Sequence, residues 1–192
     1  MKTLLLAAAA ALAATTASAQ TPSLSCERLS TLPLTGGTIT SAQTVPAGQF
    51  TPPANGRAGG QPRTNPYATV PAFCRVMAQL KPSTDSDIRV EVWLPVAGWN
   101  GKLQVVGNGG FAGAIGYPAL GTAITDGYVA ASTDTGHTGG DPAFMQGHPE
   151  RVTDFAYRAI HELTVAAKSL STVSTASRWR NVSFPSDSEI PG

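Results

Sequence analysis

W-N-G-K-L-Q-V-V-G-N-G-G-F-A-G, residues 99–113, decides how the rest of the chain is read. A tight turn at Asn100-Gly101 leads into the short apolar run 103–106, which reads as a buried strand, and four glycines follow among the seven residues 107–113. Glycines placed directly after a strand let the backbone take positive φ and bring its N–H groups close to a ligand, because no Cβ stands in the way. One use of such a loop is an oxyanion hole, in which backbone donors meet the negative oxygen that develops during acyl transfer. The other is a plain strand-to-loop turn with no ligand, since glycine serves ordinary turns equally well.

Downstream, residues 118–125 predict a short helix with proline in its first turn. G-Y-V-A-A-S-T, residues 127–133, reads as a second buried strand. The polar, glycine-rich residues 135–147 then form a loop at that strand's carboxyl end, where open α/β sheets place their ligands. The strongest periodic signal comes next. Val152, Phe155, Ala156, Ala159, Ile160, Leu163, Ala166, Ala167 and Leu170 recur at three and four residues, which predicts one amphipathic helix over 149–170. Pro149, Glu150 and Asp154 suit its amino-terminal end. Beyond Leu170 the chain carries six serines and no sustained periodicity, so 171–192 reads as an unstructured tail. A helix of that length normally feeds a further strand of an alternating sheet, and here it feeds the tail.

Upstream, residues 73–80 and the alternating residues 88–94 read as two strands of an antiparallel hairpin. Residues 20–70 are rich in Pro, Gly and Thr and predict an irregular segment with two short strands, one at Thr38-Ile39-Thr40. Before them, residues 1–19 combine a basic start, a Leu/Ala stretch and a small-x-small site at Ala17-Ser18-Ala19, the pattern of a secretory signal peptide too short to span a membrane. The expected location is therefore secreted or periplasmic, with residues 20–170 as one domain.

A net charge of +1, with both signs scattered, gives no electrostatic reason for a nucleic-acid or anionic-membrane partner. The two cysteines, Cys26 and Cys74, favour one disulfide in an oxidising compartment over two buried free thiols. Asp134, His137, Asp141 and His148 match no compact metal motif, and no metal or cofactor is implied. Ser132, Asp134 and His137 crowd one strand end, whereas a triad needs each member held by a separate element. His161 reads as a half-buried packing residue, Trp93 and Trp99 as core or turn, and Tyr117 and Phe111 either as packing or as the walls of an aromatic-ester pocket beside the glycine loop in the complete protein.

Three stretches in this order, residues 98–113, G-Y-V-A-A-S-T-D-T-G-H at 127–137 and D-F-A-Y-R-A-I-H-E-L-T-V-A-A-K at 154–168, resemble the tannase and feruloyl esterase family over about residues 26–170. The resemblance implies a secreted serine esterase acting on aromatic esters, with Gly109 and Gly110 matching the oxyanion loop and Cys26 and Cys74 the amino-terminal disulfide. It also implies a fold: the amino-terminal portion of an α/β-hydrolase, with an incomplete sheet. The family's nucleophile sits in a Gly-Cys-Ser-x-Gly-Gly elbow soon after the helix matched by 154–168. This sequence contains no such elbow and no G-x-S-x-G, so no catalytic residue is assigned, and the chain reads as a fragment that stops short of its nucleophile. A reading from another class stays open: a secreted, non-catalytic module that uses the glycine loop as a ligand cradle.

Overall fold

The computed structural model describes residues 25–53 and 64–175. The signal-peptide reading for 1–19 and the tail from 176 onward lie outside the described residues. Five strands form one mixed sheet: β1 (Gly37–Val45), β2 (Phe73–Leu80), β3 (Ile88–Pro95), β4 (Leu103–Val106) and β5 (Val129–Thr133). Their order across the sheet is β1-β2-β3-β5-β4, antiparallel from β1 through β5 and parallel between β5 and β4. The parallel pair requires a crossover, and α1 (Tyr117–Thr125) supplies it. The hairpin expected from 73–80 and 88–94 is present.

Both faces of the sheet are covered, which makes this an α/β fold. On one face Val76, Val90, Val92 and Ala131 meet Leu163, Ala167 and Leu170 of the last helix, α3 (Ala159–Thr175), with Leu29 from a 3-10 turn at Cys26–Thr31. On the other, Phe73, Trp93 and Ala130 meet Leu120 and Ile124 of α1, with Phe50, Tyr67 and Val70 from the connection between β1 and β2. Fully burying a residue such as Leu163 or Leu120 contributes about 1.5–3 kcal/mol, so the two layers carry the fold. The Cys26–Cys74 disulfide is formed and ties the 3-10 turn to the start of β2.

Several expectations change. Among the described residues of the amino-terminal region there is one nine-residue strand, β1, in place of two short ones. Strand β4 is only half-buried, because it lies at the sheet edge and no described strand covers its far side. The predicted 149–170 helix is two helices, α2 (Pro149–Thr153) and α3, joined by a π turn at Asp154–Arg158 that the Ala159 N–H closes onto the Asp154 carbonyl. One extra residue in that turn rotates everything before it. Val152 is therefore 41% exposed and Ala156 exposed, whereas Asp154 is wholly buried. Its Oδ1 accepts from Arg158 Nε at 2.6 Å, and Arg158 reaches on to Glu150 and Ser86.

The helix also runs past Leu170 to Thr175. Ser171 is fully buried on the packed stripe, and its hydroxyl donates back to the Ala167 carbonyl, as Thr172 does to Lys168. Hydroxyls bonded back to the helix's own carbonyls let serine and threonine continue a helix that packing already holds. His161 is exposed, contrary to the half-buried position expected for it.

Candidate functional site

Two loops leave the carboxyl ends of the parallel strands β4 and β5, and they are stitched together. The first, 107–116, begins where Asn108 Nδ2 donates to the Thr133 carbonyl at 2.9 Å. A tight turn follows, closed by the Ala112 N–H on the Gly109 carbonyl at 3.2 Å, with Gly110 at φ +55°. Only glycine takes that φ without strain. A Cβ at Gly109 or Gly110 would meet nothing within 4 Å, so the turn lies open. Among the described residues no hydrogen bond takes up the N–H of either glycine. Gly113 differs: a Cβ there would overlap the His137 carbonyl. That closeness lets Gly113 and Gly139 exchange backbone hydrogen bonds at 2.6 and 3.3 Å, the rivet between the two loops.

The second loop starts with Asp134, whose Oδ1 accepts from the N–H groups of Arg89 and Gly136, each at 2.9 Å. Thr135 follows at φ +57° and Gly136 at +83°. For a β-branched residue this is an outlier costing about 1–2 kcal/mol. The local hydrogen bonds offset it: the Thr135 N–H donates to Thr133 Oγ1 at 3.1 Å and its hydroxyl to the Asp134 carbonyl at 2.7 Å. His137 comes next, 7% exposed, its ring stacked on Phe144 at 3.7 Å and its Nε2 2.9 Å from the Phe111 carbonyl.

The structure separates the residues that the sequence crowds together. Ser132 is fully buried with its Oγ accepting from the Gly116 N–H at 3.0 Å, at the entry to α1. The Asp134 carboxylate holds backbone and the His137 ring holds a carbonyl, so the three side chains share no hydrogen bond and form no triad. Asp141 caps the 3-10 turn at Pro142–Met145 through the Ala143 N–H. His148 Nδ1 lies 2.9 Å from Asp85 Oδ2 on the β2–β3 turn, and that bond, with Arg151 beside it, holds the Asp85 carboxyl below its usual range. Among the described residues no three His, Cys, Asp or Glu side chains gather into a metal site.

Under the Gly113–Gly139 rivet opens a cleft of about 870 Å³, lined by Ile115, Tyr117, Glu91, Asp134 and both glycines. Its floor is a buried polar network that the sequence reading did not identify. Glu91 accepts from Arg75 Nε at 2.8 Å and Nη2 at 2.5 Å, from Trp93 Nε1 at 3.1 Å and from the Tyr117 hydroxyl at 2.8 Å. Burial, reinforced by the Glu91 charge, pushes the Tyr117 phenol well above its usual range, so it stays a neutral donor. The signal was present, because a charged residue inside each of two strongly apolar strands needs a partner.

Among the described residues Tyr117 lines the cleft and Phe111 does not. Tyr117 floors the cleft, whereas Phe111 is 43% exposed and stacked on Phe155 at 5.5 Å beside Phe144. The glycine turn thus joins an aromatic cluster with Phe144 and Phe155.

Burial raises the Asp134 carboxyl from 3.8 to about 6, against the pull of the Gly136 and Arg89 N–H groups. The folded state therefore binds a proton that the unfolded chain releases near pH 4. This contribution, at most about 3 kcal/mol, is present in full below about pH 4 and is lost as the pH rises through about 6. Asp134→Asn keeps the Oδ1 acceptor and removes the titration. Urea midpoints measured between about pH 4 and 7 are expected to fall more steeply for the wild type than for the variant, and parallel curves would contradict this.

The description "Tannase and feruloyl esterase" belongs to the family model that matches residues 74–188, reaching into the segment that the sequence reading set apart as a tail. An uncharacterised esterase of Xanthomonas campestris is 42% identical over 163 residues, 84% of this chain and 26% of that protein. A probable feruloyl esterase B-1 of Aspergillus oryzae is 33% identical over 140 residues, 72% of this chain and 25% of that one. The crystal structure of feruloyl esterase B from Aspergillus oryzae superposes with a TM-score of 0.68 at 31% identity, over 78% of this chain and 28% of that chain. Tannin acyl hydrolase from Aspergillus niger shares the fold, with a TM-score of 0.56 at 21% identity. The chain thus spans about a quarter of the length of these relatives. With this sheet order, these loops and these matches, it belongs to the tannase and feruloyl esterase family.

Proposed function

We propose that this chain supplies the oxyanion loop and the strand frame of a secreted serine carboxylic ester hydrolase acting on phenolic esters. The observation that carries the reading is the open turn at Gly109 and Gly110, with two N–H groups that have no acceptor among the described residues, at the carboxyl end of a parallel strand. Donors fixed in this way stabilise the oxygen that becomes negative when a serine attacks an ester carbonyl, and each is worth about 3–4 kcal/mol of barrier. The aromatic surfaces of Phe111 and Phe155 beside the turn suit a phenolic acyl group. The leader-like residues 1–19 and the disulfide suit export. Family membership weighs against the non-catalytic binding module.

The sequence holds no G-x-S-x-G, and an oxyanion loop acts only after a nucleophile has attacked. The chain alone is therefore expected to hydrolyse neither methyl ferulate nor methyl gallate at an enzymatic rate. A fusion in which residues 26–175 replace the matching segment of Aspergillus oryzae feruloyl esterase B is expected to turn over methyl ferulate. In that fusion Gly109→Pro, which deletes one donor, is expected to lower kcat by about 100- to 1,000-fold with little change in KM. Turnover by the unfused chain, or an unchanged kcat after Gly109→Pro in the fusion, would overturn the proposal.

A further inference from the structure

The glycine turn needs something to hold it, and the loop's own bonds are few. Asn108 anchors one side and the Gly113–Gly139 rivet the other. Among the described residues, the one side chain that hydrogen-bonds residues 109–112 between those anchors is His137, through Nε2 and the Phe111 carbonyl at 2.9 Å.

A carbonyl oxygen can only accept, so Nε2 carries the proton. The other ring nitrogen, Nδ1, lies 3.4 Å from Thr135 Oγ1, whose hydroxyl hydrogen can serve either Nδ1 or the Asp134 carbonyl at 2.7 Å. The ring cannot readily turn over. It lies within 8° of parallel to Phe144, and the edge-on Phe155 ring sits 5.6 Å away. The backbone that delivers it is equally constrained: Thr135 is held at positive φ, and the His137 carbonyl sits where Gly113 leaves no room for a Cβ. Strain of this kind persists only where the surroundings over-determine it, and it clusters at sites that need a fixed geometry.

We propose that His137 is the positioning residue of the glycine turn: its Nε2–H fixes the Phe111 peptide, and thereby the orientation in which Gly109 and Gly110 present their N–H groups to an ester oxygen. This rests on the reading of that turn as the oxyanion loop. It also gives His137 a role other than general base, because its Nε2 is committed to a backbone carbonyl.

The test uses the full chain, isotope-labelled for nuclear magnetic resonance. Long-range imidazole spectra at mildly alkaline pH are expected to show the Nε2–H tautomer of His137. His137→Phe keeps the ring on Phe144 and removes the donor, whereas His137→Gln restores an N–H donor. His137→Phe is expected to speed hydrogen exchange of the Ala112 amide by about 5- to 10-fold, the effect of losing one hydrogen bond. His137→Gln is expected to return it to within about 2-fold of wild type, and the Ala131 amide, in the sheet, to exchange at the same rate in all three proteins. An Nδ1–H tautomer in the wild type, or Ala112 exchange unchanged by His137→Phe, would overturn the proposal. If His137→Phe fails to fold, the wild-type tautomer and the Ala112 rate in His137→Gln decide, a raised rate counting against it. An unchanged kcat after Gly109→Pro in the esterase fusion would remove the oxyanion reading and leave these exchange results standing, so the two failures are distinguishable.

Discussion

Glu91→Ala is expected to lower stability by about 3–5 kcal/mol, a large share of what a domain of this size has to lose. Glu91 is 4% exposed on β3 and accepts from Arg75, Trp93 and Tyr117 at once. Truncating it leaves the Arg75 guanidinium, itself 8% exposed, as an uncompensated charge inside the sheet face, with an indole N–H and a phenol O–H also unpaired. The position matters for the site as well. Tyr117 opens α1 directly after the glycine loop, so loss of its anchor at Glu91 frees the end of that loop. Urea unfolding followed by circular dichroism measures the effect. The triple variant Arg75→Met, Glu91→Leu, Tyr117→Phe is expected to recover more than half of the loss, because apolar groups of similar volume replace a buried ion pair at little cost. A Glu91→Ala midpoint equal to that of the wild type would mean that water reaches the network.

Removing the disulfide is expected to cost about 4 kcal/mol by the chain-entropy account, since the cross-link closes a loop with a sequence separation of 48 residues. The loss concentrates on one edge of the sheet. Among the described strands β1 pairs only with β2, and the 3-10 turn that carries Cys26 packs against both. Reductant is expected to lower the urea midpoint of the wild type to that of the double variant Cys26→Ala, Cys74→Ala, and to leave the variant's midpoint where it was. A wild-type midpoint indifferent to reductant would show that the cross-link constrains nothing that folding does not already constrain.

These two features differ in how they could be known. The cysteine pair was legible because an even count of two in a chain with a leader-like start leaves few arrangements. The Arg75–Glu91 pair lies across a strand register, and nothing local in either strand names its partner. The same contrast holds at the site. The glycine turn follows its strand in sequence, so residues 103–113 announce it. The His137 bond to Phe111 spans 26 residues and exists only because β4 and β5 run side by side in parallel.

By itself the sequence determined the strands β2, β3 and β5, the helix α1, the inward stripe of α3, the resemblance to its family and the location of the glycine turn. Each of these is written in near neighbours, through hydrophobic period, turn residues or a contiguous motif. Tertiary structure alone decided that β4 lies at the edge, because strand order is a property of the assembled sheet. It decided that a π turn carries Asp154 inward and Val152 out, because one extra residue in a turn shifts the phase of a pattern without changing its composition. It decided that α3 continues through Ser171, because packing against the sheet outweighs a weak helix propensity. It also sent Ser132, Asp134 and His137 to three different partners: neighbours along a chain share a strand end, but each side chain bonds to whatever the fold has brought beside it.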